Sequence, residues 1–446
     1  MASEADPHAP SATAGDGPLT SPSIPETLAL VLGGTSVLFA NGETTERTIE
    51  AGRRIAGALG HRSAVVARWD GLTVRLEDGA EALDTVPVTP TGIDMHKVME
   101  AERAVDAICA HALKPEEAAS TFARTAALPA VSLARFTLAA AVGAAALSVV
   151  FGAEHPASVA LIAFSAAVGA LVRRGLAHVS RNPFVQPFSA ALLAGVIGGL
   201  ALRHQLSSPQ ALVTLCPCMV LVPGPHFLNG LVDLIHARVA LGASRLAFAL
   251  LVVAAISTGV LIGLWVVGET LPIAPPSRTI ALPVDVAAAG FAVFAYSSFY
   301  SMPWRQLPLP ILTGMSAHAL RWSALAFGAS AYAAAFFACL LAGIVTTRLG
   351  DRLRLPFASL SFAAVVALIP GVFLFRMAAA LVQIAGLGER TPAALVSIAL
   401  GDGATATLIL IAMGLGLLAP KLLAERFGRA PLPATNGGGP AHGHVH

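Results

Sequence analysis

The pattern of hydrophobic and polar positions changes character near Arg135. Ahead of it, apolar residues are interleaved with charges at helix or strand spacing. Beyond it, apolar runs follow one another: roughly 134–152, 157–172, 184–202, 210–235, 246–268, 284–301, 306–323, 327–346, 356–382 and 393–419. Most approach or exceed the ~18 residues that mark a membrane span. The pattern predicts a polytopic α-helical membrane protein with ten transmembrane helices, preceded by a small cytoplasmic α/β domain.

The α/β domain is expected over residues 26–128. Leu28 to Ala40 reads as an apolar helix that stops at Asn41-Gly42. Glu43 to Leu59 sets Ile49, Ile55 and Leu59 among charges. Ala64 to Trp69 and Leu72 to Leu76 are strand-like runs around Asp70-Gly71, a hairpin signal. Met95 to Leu113 is amphipathic, and Pro115-Glu116-Glu117 opens a further helix. Residues 1–25, rich in Pro, Ala and Ser, and residues 430–446, rich in Gly and Pro, read as disordered tails without a signal-peptide pattern.

Two spans are interrupted in the same way. The run Leu215–Asp233 carries Pro223-Gly224-Pro225, and Leu368–Arg376 carries Pro370-Gly371. Proline removes a backbone donor and clashes with the preceding turn, so neither helix continues undisturbed. Broken backbone at membrane depth survives only where protein or a wet cavity covers it. Ten spans divide into repeats at 134–268 and 284–419, and each break falls in the fourth span of its repeat. A five-span unit repeated in tandem inserts upside down the second time, which predicts a 5+5 inverted repeat of the secondary-transporter kind.

Composition agrees. Hydrophobic residues make up 55% of the 446 and charged residues 12%, about half the roughly 25% usual in soluble domains. The net charge of +2 says less than where the charges fall. With the N-terminal domain inside, inner loops and span ends carry most of the Lys and Arg after Arg135, including Arg173, Arg174, Arg238, Arg245 and Lys421. The outer ones hold Arg203, Arg278, Arg321 and Arg390. This bias predicts both termini in the cytoplasm. Cys216-Pro-Cys218 is too isolated for a zinc site and the four cysteines imply no disulfide framework. His442, His444 and His446 are read as part of the tail, and neither a metal nor a cofactor is assigned.

Ionisable groups inside spans are functional candidates. Asp233, Arg376 and Asp402 stand out, with His318 behind them as a hydrogen-bonded helix histidine. Asp285 and Glu269, at span ends, read as solvated. Asn229 shares a helix face with Asp233. An Arg as deep as Arg376 needs an anion: Asp402, Asp233 or a substrate carboxylate. The half-helix after each break is expected to offer unpaired N–H groups to a carboxylate. Pro223, Gly224, Asn229, Asp233, Pro370, Gly371 and Arg376 are therefore substrate-binding candidates, and Asp402, between Gly401 and Gly403, is the proton-coupling candidate. A purely structural Arg376–Asp402 ion pair is the other reading, as a solvated position at the inner mouth is for Asp233.

Several stretches, in order, resemble the threonine/serine exporters, the ThrE family of bacterial inner-membrane carriers. They are FANGETTER (Phe39–Arg47), VPVTPTGIDMHKV (Val86–Val98), LKPEEA (Leu113–Ala118), LVPGPHFLNGLVDLIHARVALGASR (Leu221–Arg245) and LIPGVFLFR (Leu368–Arg376). The resemblance implies export of L-threonine and L-serine driven by the proton motive force. It places Pro223, Gly224, Asp233, Gly242 and Arg245 in one family motif and Pro370, Gly371 and Arg376 in the other. Pro225-His226 and Ile93-Asp94 depart from it. The implied partners are a small amino acid, protons and the lipid bilayer, without nucleic acid; a homo-oligomer is compatible. Dicarboxylate export by the same fold is the alternative. A membrane-anchored enzyme or sensor is a third reading, but Glu43, Glu46, Arg47, Asp94 and His96 show no nucleophile–base or metal-ligand spacing.

Overall fold

A computed structural model describes residues 22–77, 82–153, 155–206, 212–271, 280–353 and 357–428. The expected tails, with His442, His444 and His446, lie outside the described residues except at 22–25. There the first helix, α1 (Ile24–Ala40), already begins. Its start moves from the expected Leu28 to Ile24 because Ser23 and Glu26 form a capping box: the Ser23 N–H and hydroxyl both donate to the Glu26 carboxylate.

Helix α2 (Thr45–Ala58) is capped by the Thr44 hydroxyl, which accepts from the Arg47 N–H. Three antiparallel strands follow in the order β1 (Ser63–Ala67), β2 (Gly71–Leu76) and β3 (Ala82–Pro87). The expected hairpin forms, with Val65 opposite Val74. Strand β3 was not foreseen: most of it is exposed, so no apolar alternation announces it. Helices α3 (Met95–Cys109) and α4 (Pro115–Ala126) complete the unit. Asp94 starts α3, its Oδ1 accepting from the His96 and Lys97 N–H groups. Val31, Leu38, Ile55, Leu72, Val98 and Phe122 form one core.

The second, larger core belongs to α5 (Leu133–Val150), α6 (Pro156–Leu176), α7 (Val185–Arg203), α8 (Leu212–Met219), α9 (Gly224–Ile235), α10 (Val239–Val266), α11 (Leu282–Phe299), α12 (Pro308–Ala326), α13 (Ala331–Leu353), α14 (Phe357–Val365), α15 (Gly371–Leu387) and α16 (Ala393–Gly428). Among the described residues, α5, α6, α7, α10, α11, α13, α15 and α16 contain stretches long and apolar enough to cross a membrane. Helices α8 and α9, bent by 55° at their junction, pass together as one broken span. Helix α12 is less apolar and does not meet the same standard. Phe164, Leu250, Phe291 and Leu400 project from the bundle, as side chains facing lipid rather than water do. Several helices overrun the predicted limits. The shift that matters most is α10, which begins at Val239 rather than near 246 and so brings Arg245 inside a helix.

The two cores interlock. Leu241, from the start of α10, belongs to the first core, while Met95 of α3 belongs to the second. The Met95 N–H donates to the Tyr300 carbonyl at 2.8 Å.

Candidate functional site

Both breaks are the same turn. Pro223 has φ −82° and ψ 62°, and Pro370 has φ −78° and ψ 49°. The Gly224 N–H donates to the Val222 carbonyl at 2.8 Å and the Gly371 N–H to the Ile369 carbonyl at 2.8 Å. A proline at these angles spanned by a bond between residues two apart is an inverse γ-turn. At the first break the expectation of unpaired N–H groups aimed at a substrate therefore needs correction. The turn takes the glycine donor at each break. At the first, Pro225 has none and the His226 N–H bonds back to Pro223.

The two turns face one another. A Cβ on Gly224 would fall 1.9 Å from Ile369 Cδ1, and one on Gly371 would sit 3.4 Å from Met219 Cγ and 3.6 Å from Val222 Cγ2. The atom met first is the tip of the Ile369 side chain, which would have to turn aside for any larger residue. The Tyr296 hydroxyl donates to the Met219 carbonyl at 3.2 Å, satisfying an acceptor at the end of α8. The space enclosed here, beside Leu147, Val222 and Val366, is about 10 Å³, no more than one water-sized sphere. The crossing is closed to a ligand in this conformation.

Each half then ties its broken helix to the next one with an Asp–Arg pair. In the first half Asp233 of α9 meets Arg245 of α10, Nε to Oδ2 3.2 Å. In the second Arg376 of α15 meets Asp402 of α16, also Nε to Oδ2 3.2 Å. The order of the charges is reversed between halves. All four residues are buried. Asp233 is not solvated at the inner mouth, as one reading had it; its other neighbour is Arg238, Nη1 to Oδ1 3.6 Å. Gly403 packs against Met377, but Gly401 faces open space, so only one of the two glycines beside Asp402 serves a close approach. The second correction concerns Asp285. Read as solvated, it is buried 3.5 Å from the Nδ1 of His318, which is buried too.

The N-terminal unit is fastened onto the first half. The Thr45 hydroxyl donates to Asp233 Oδ2 at 3.1 Å and accepts from Arg245 Nη2 at 3.3 Å. The Asn229 amide donates to the Gly42 carbonyl at 3.2 Å. Arg238 pairs with Glu46, and the Arg245 guanidinium lies over the Phe39 ring, 5.3 Å from its centre. Asn229 and Asp233 do share a face, as their spacing required, but that face meets the loop and first turn of α2. Beside this contact Glu43 is buried with Oε2 lacking a hydrogen-bond partner among the described residues, and Glu102 is buried with Oε1 likewise. Burial pushes both carboxyls up, Glu102 to about 7 with the Glu43 charge adding to the rise.

A cleft of about 500 Å³ opens where the N-terminal unit meets the bundle. Asp94 and Thr91 line it from one side; Arg173, Pro223, His226 and Tyr300 line it from the other. Of the predicted substrate residues only Pro223 reaches this cleft. Gly224, Pro370 and Gly371 form the closed crossing. Asn229 and Asp233 hold the N-terminal unit, and Arg376 holds Asp402. Sequence reasoning missed Arg245 as the partner of Asp233, because α10 was started too late and Arg245 was counted among loop arginines. It also missed Thr45, whose hydroxyl gives no signal of its own.

Two family models match the chain. One, described as "Putative threonine/serine exporter", matches residues 29–267; the other, described as "Threonine/Serine exporter, ThrE", matches residues 285–423. No solved structure matches.

Proposed function

Because the chain belongs to the threonine/serine exporter family of membrane transporters, we propose that it carries L-threonine and L-serine out of the cytoplasm in exchange for protons. The observation that carries this reading is the pair of matching inverse γ-turns at Pro223 and Pro370, packed face to face in the larger core. Paired broken helices meeting inside a bundle are how secondary transporters build a site that opens to one side at a time. The reading takes α5, α6, α7, the α8–α9 pair and α10 as five spans. The second five are α11, α12, α13, the α14–α15 pair and α16, inserted with opposite orientation. Both termini and the N-terminal α/β unit are then cytoplasmic, in a bacterial inner membrane.

Proton coupling is assigned to Asp402. It faces Arg376 at the end of a charge pair that a proton would neutralise on one side, releasing the guanidinium. Both deep arginines already have an aspartate, which leaves neither ready for the second carboxylate of a dicarboxylate. Counterflow in proteoliposomes tests the reading. Vesicles loaded with L-threonine should accumulate labelled L-threonine, with serine competing. Accumulation of succinate after succinate loading, with none for threonine, would move the chain to dicarboxylate transport.

A further inference from the structure

The crossing is closed, the glycine N–H of each break is taken by its own turn, and Arg376 and Arg245 are paired, so an incoming amino acid needs another place to be recognised first. The cleft between the N-terminal unit and the bundle has the right chemistry. Its volume of about 500 Å³ is within the few hundred to a thousand Å³ of ordinary ligand sites.

On the bundle side Arg173, at the inner end of α6, lies beside a pair of rings. Its guanidinium lies 5.5 Å from the centre of Phe136 and 5.3 Å from that of Phe299, and these two rings are themselves stacked at 4.4 Å. Aromatic faces orient a guanidinium without neutralising it. Arg173 has no carboxylate partner among the described residues, and its Nε has no hydrogen-bond partner there. The neighbouring Arg174 differs: its Nη2 is bound to the Val131 carbonyl at 2.8 Å. A planar, charged, rigidly placed guanidinium is suited to a carboxylate.

Across the cleft stands Asp94. Its Oδ1 caps α3, which fixes the side chain and leaves Oδ2 for a ligand's ammonium. His226, three residues past the first break, lines the same cleft as the soluble segment Thr91–Asp94. Tyr300 and Ser301 also line it.

We propose that this cleft is the cytoplasmic loading site for the exported amino acid, Arg173 receiving its carboxylate and Asp94 its ammonium. The inference rests on the exporter reading above and extends it, because it makes the N-terminal unit half of the recognition site. It also gives a route inward, since Pro223, Pro225 and His226 line the cleft and lead to the crossing.

Inside-out membrane vesicles expose this face to the medium. Initial rates of labelled L-threonine uptake should show a half-saturating concentration at least tenfold higher in Arg173→Gln, and less raised in Arg173→Lys, with maximal rates per transporter within twofold of wild type. Asp94→Asn keeps the helix cap, because Asn caps as well as Asp, but removes the charge. It should raise the half-saturating concentration for L-threonine. It should also abolish the preference of the site for L-threonine over 3-hydroxybutyrate, which lacks the ammonium, as competitor. Unchanged half-saturation in Arg173→Gln and Asp94→Asn, with only rate or abundance lowered, would overturn the loading site and leave the exporter reading intact. A wild-type protein that carries no L-threonine would overturn both.

Discussion

Pro223 and Pro370 adopt nearly the same backbone conformation, each at the centre of an inverse γ-turn, and the glycine after the first reaches the isoleucine before the second. The contact between Gly224 and Ile369 is therefore where the two halves of the bundle are fitted together, and any movement of one broken helix against the other passes through it.

Substitution at this contact should be both damaging and repairable. Gly224→Ala places a methyl 1.9 Å from Ile369 Cδ1, and overpacking of this kind costs about 1–3 kcal/mol. The thermal midpoint of the purified protein and its counterflow rate should fall. Ile369→Val removes the clashing carbon and should restore most of both in the double variant. Absence of rescue would mean that the backbone, not the side chain, limits the approach.

The Arg376–Asp402 pair separates coupling from architecture. Asp402→Asn should abolish proton-driven export while the protein still inserts, and threonine counterflow, which needs no net proton movement, should persist. Arg376→Ala leaves Asp402 without its partner, a change worth about 3–5 kcal/mol for a buried pair, so abundance should fall. Restoration of abundance but not of driven export in Arg376→Ala/Asp402→Asn is the expected signature. Proton-driven export by Asp402→Asn at the wild-type rate would remove Asp402 from the mechanism.

One charge pair fastens the N-terminal unit and a second holds the surface that Thr45 grips, and their burial predicts unequal weight. Arg238–Glu46 is partly exposed, and such pairs contribute at most about 1 kcal/mol. Asp233–Arg245 is buried, and Asp233→Ala strands a guanidinium at a cost of about 3–5 kcal/mol. Thermal unfolding of Glu46→Ala should therefore lie close to wild type, while Asp233→Ala should be strongly destabilised. Thr45→Val should loosen the contact, seen as faster proteolysis within residues 22–130.

Glu102 predicts a pH dependence for the N-terminal unit. Its folded pKa is pushed up to about 7 from an ordinary 4.5 by burial and by Glu43, against the lowering effect of Arg47. Between those values the folded state holds the proton more tightly, so the stability it confers is complete below pH 4.5 and lost as pH rises through 7. The loss amounts to roughly 3 kcal/mol at 1.4 kcal/mol per pH unit. Wild-type stability should fall from pH 5 to pH 8 relative to Glu102→Gln. Parallel pH profiles for the two would contradict the raised pKa of Glu102.

Much of the molecule was legible along the chain. The positions of most of the apolar helices, the two breaks and the burial of Arg376 and Asp402 follow from local hydropathy, from what proline does to a helix and from the cost of charge in an apolar run. The hairpin at Asp70-Gly71 is equally local. Strand β3 escaped because its residues are mostly exposed and its only cue is a partner strand.

Partnership was decided by the tertiary structure. Nothing in the sequence chose Arg245 rather than Arg376 for Asp233. The choice came from the turn at residues 236–238, which folds α10 back along α9, and from a helix that starts earlier than its apolar run. Nor did the sequence show that Thr45, 188 residues away, would bond to Asp233, that Gly224 would face Ile369, or that Arg173 and Asp94 would share a cleft. Hydropathy and turn chemistry belong to a residue and its neighbours, whereas a buried charge takes whichever counter-charge the packing of distant helices brings within reach.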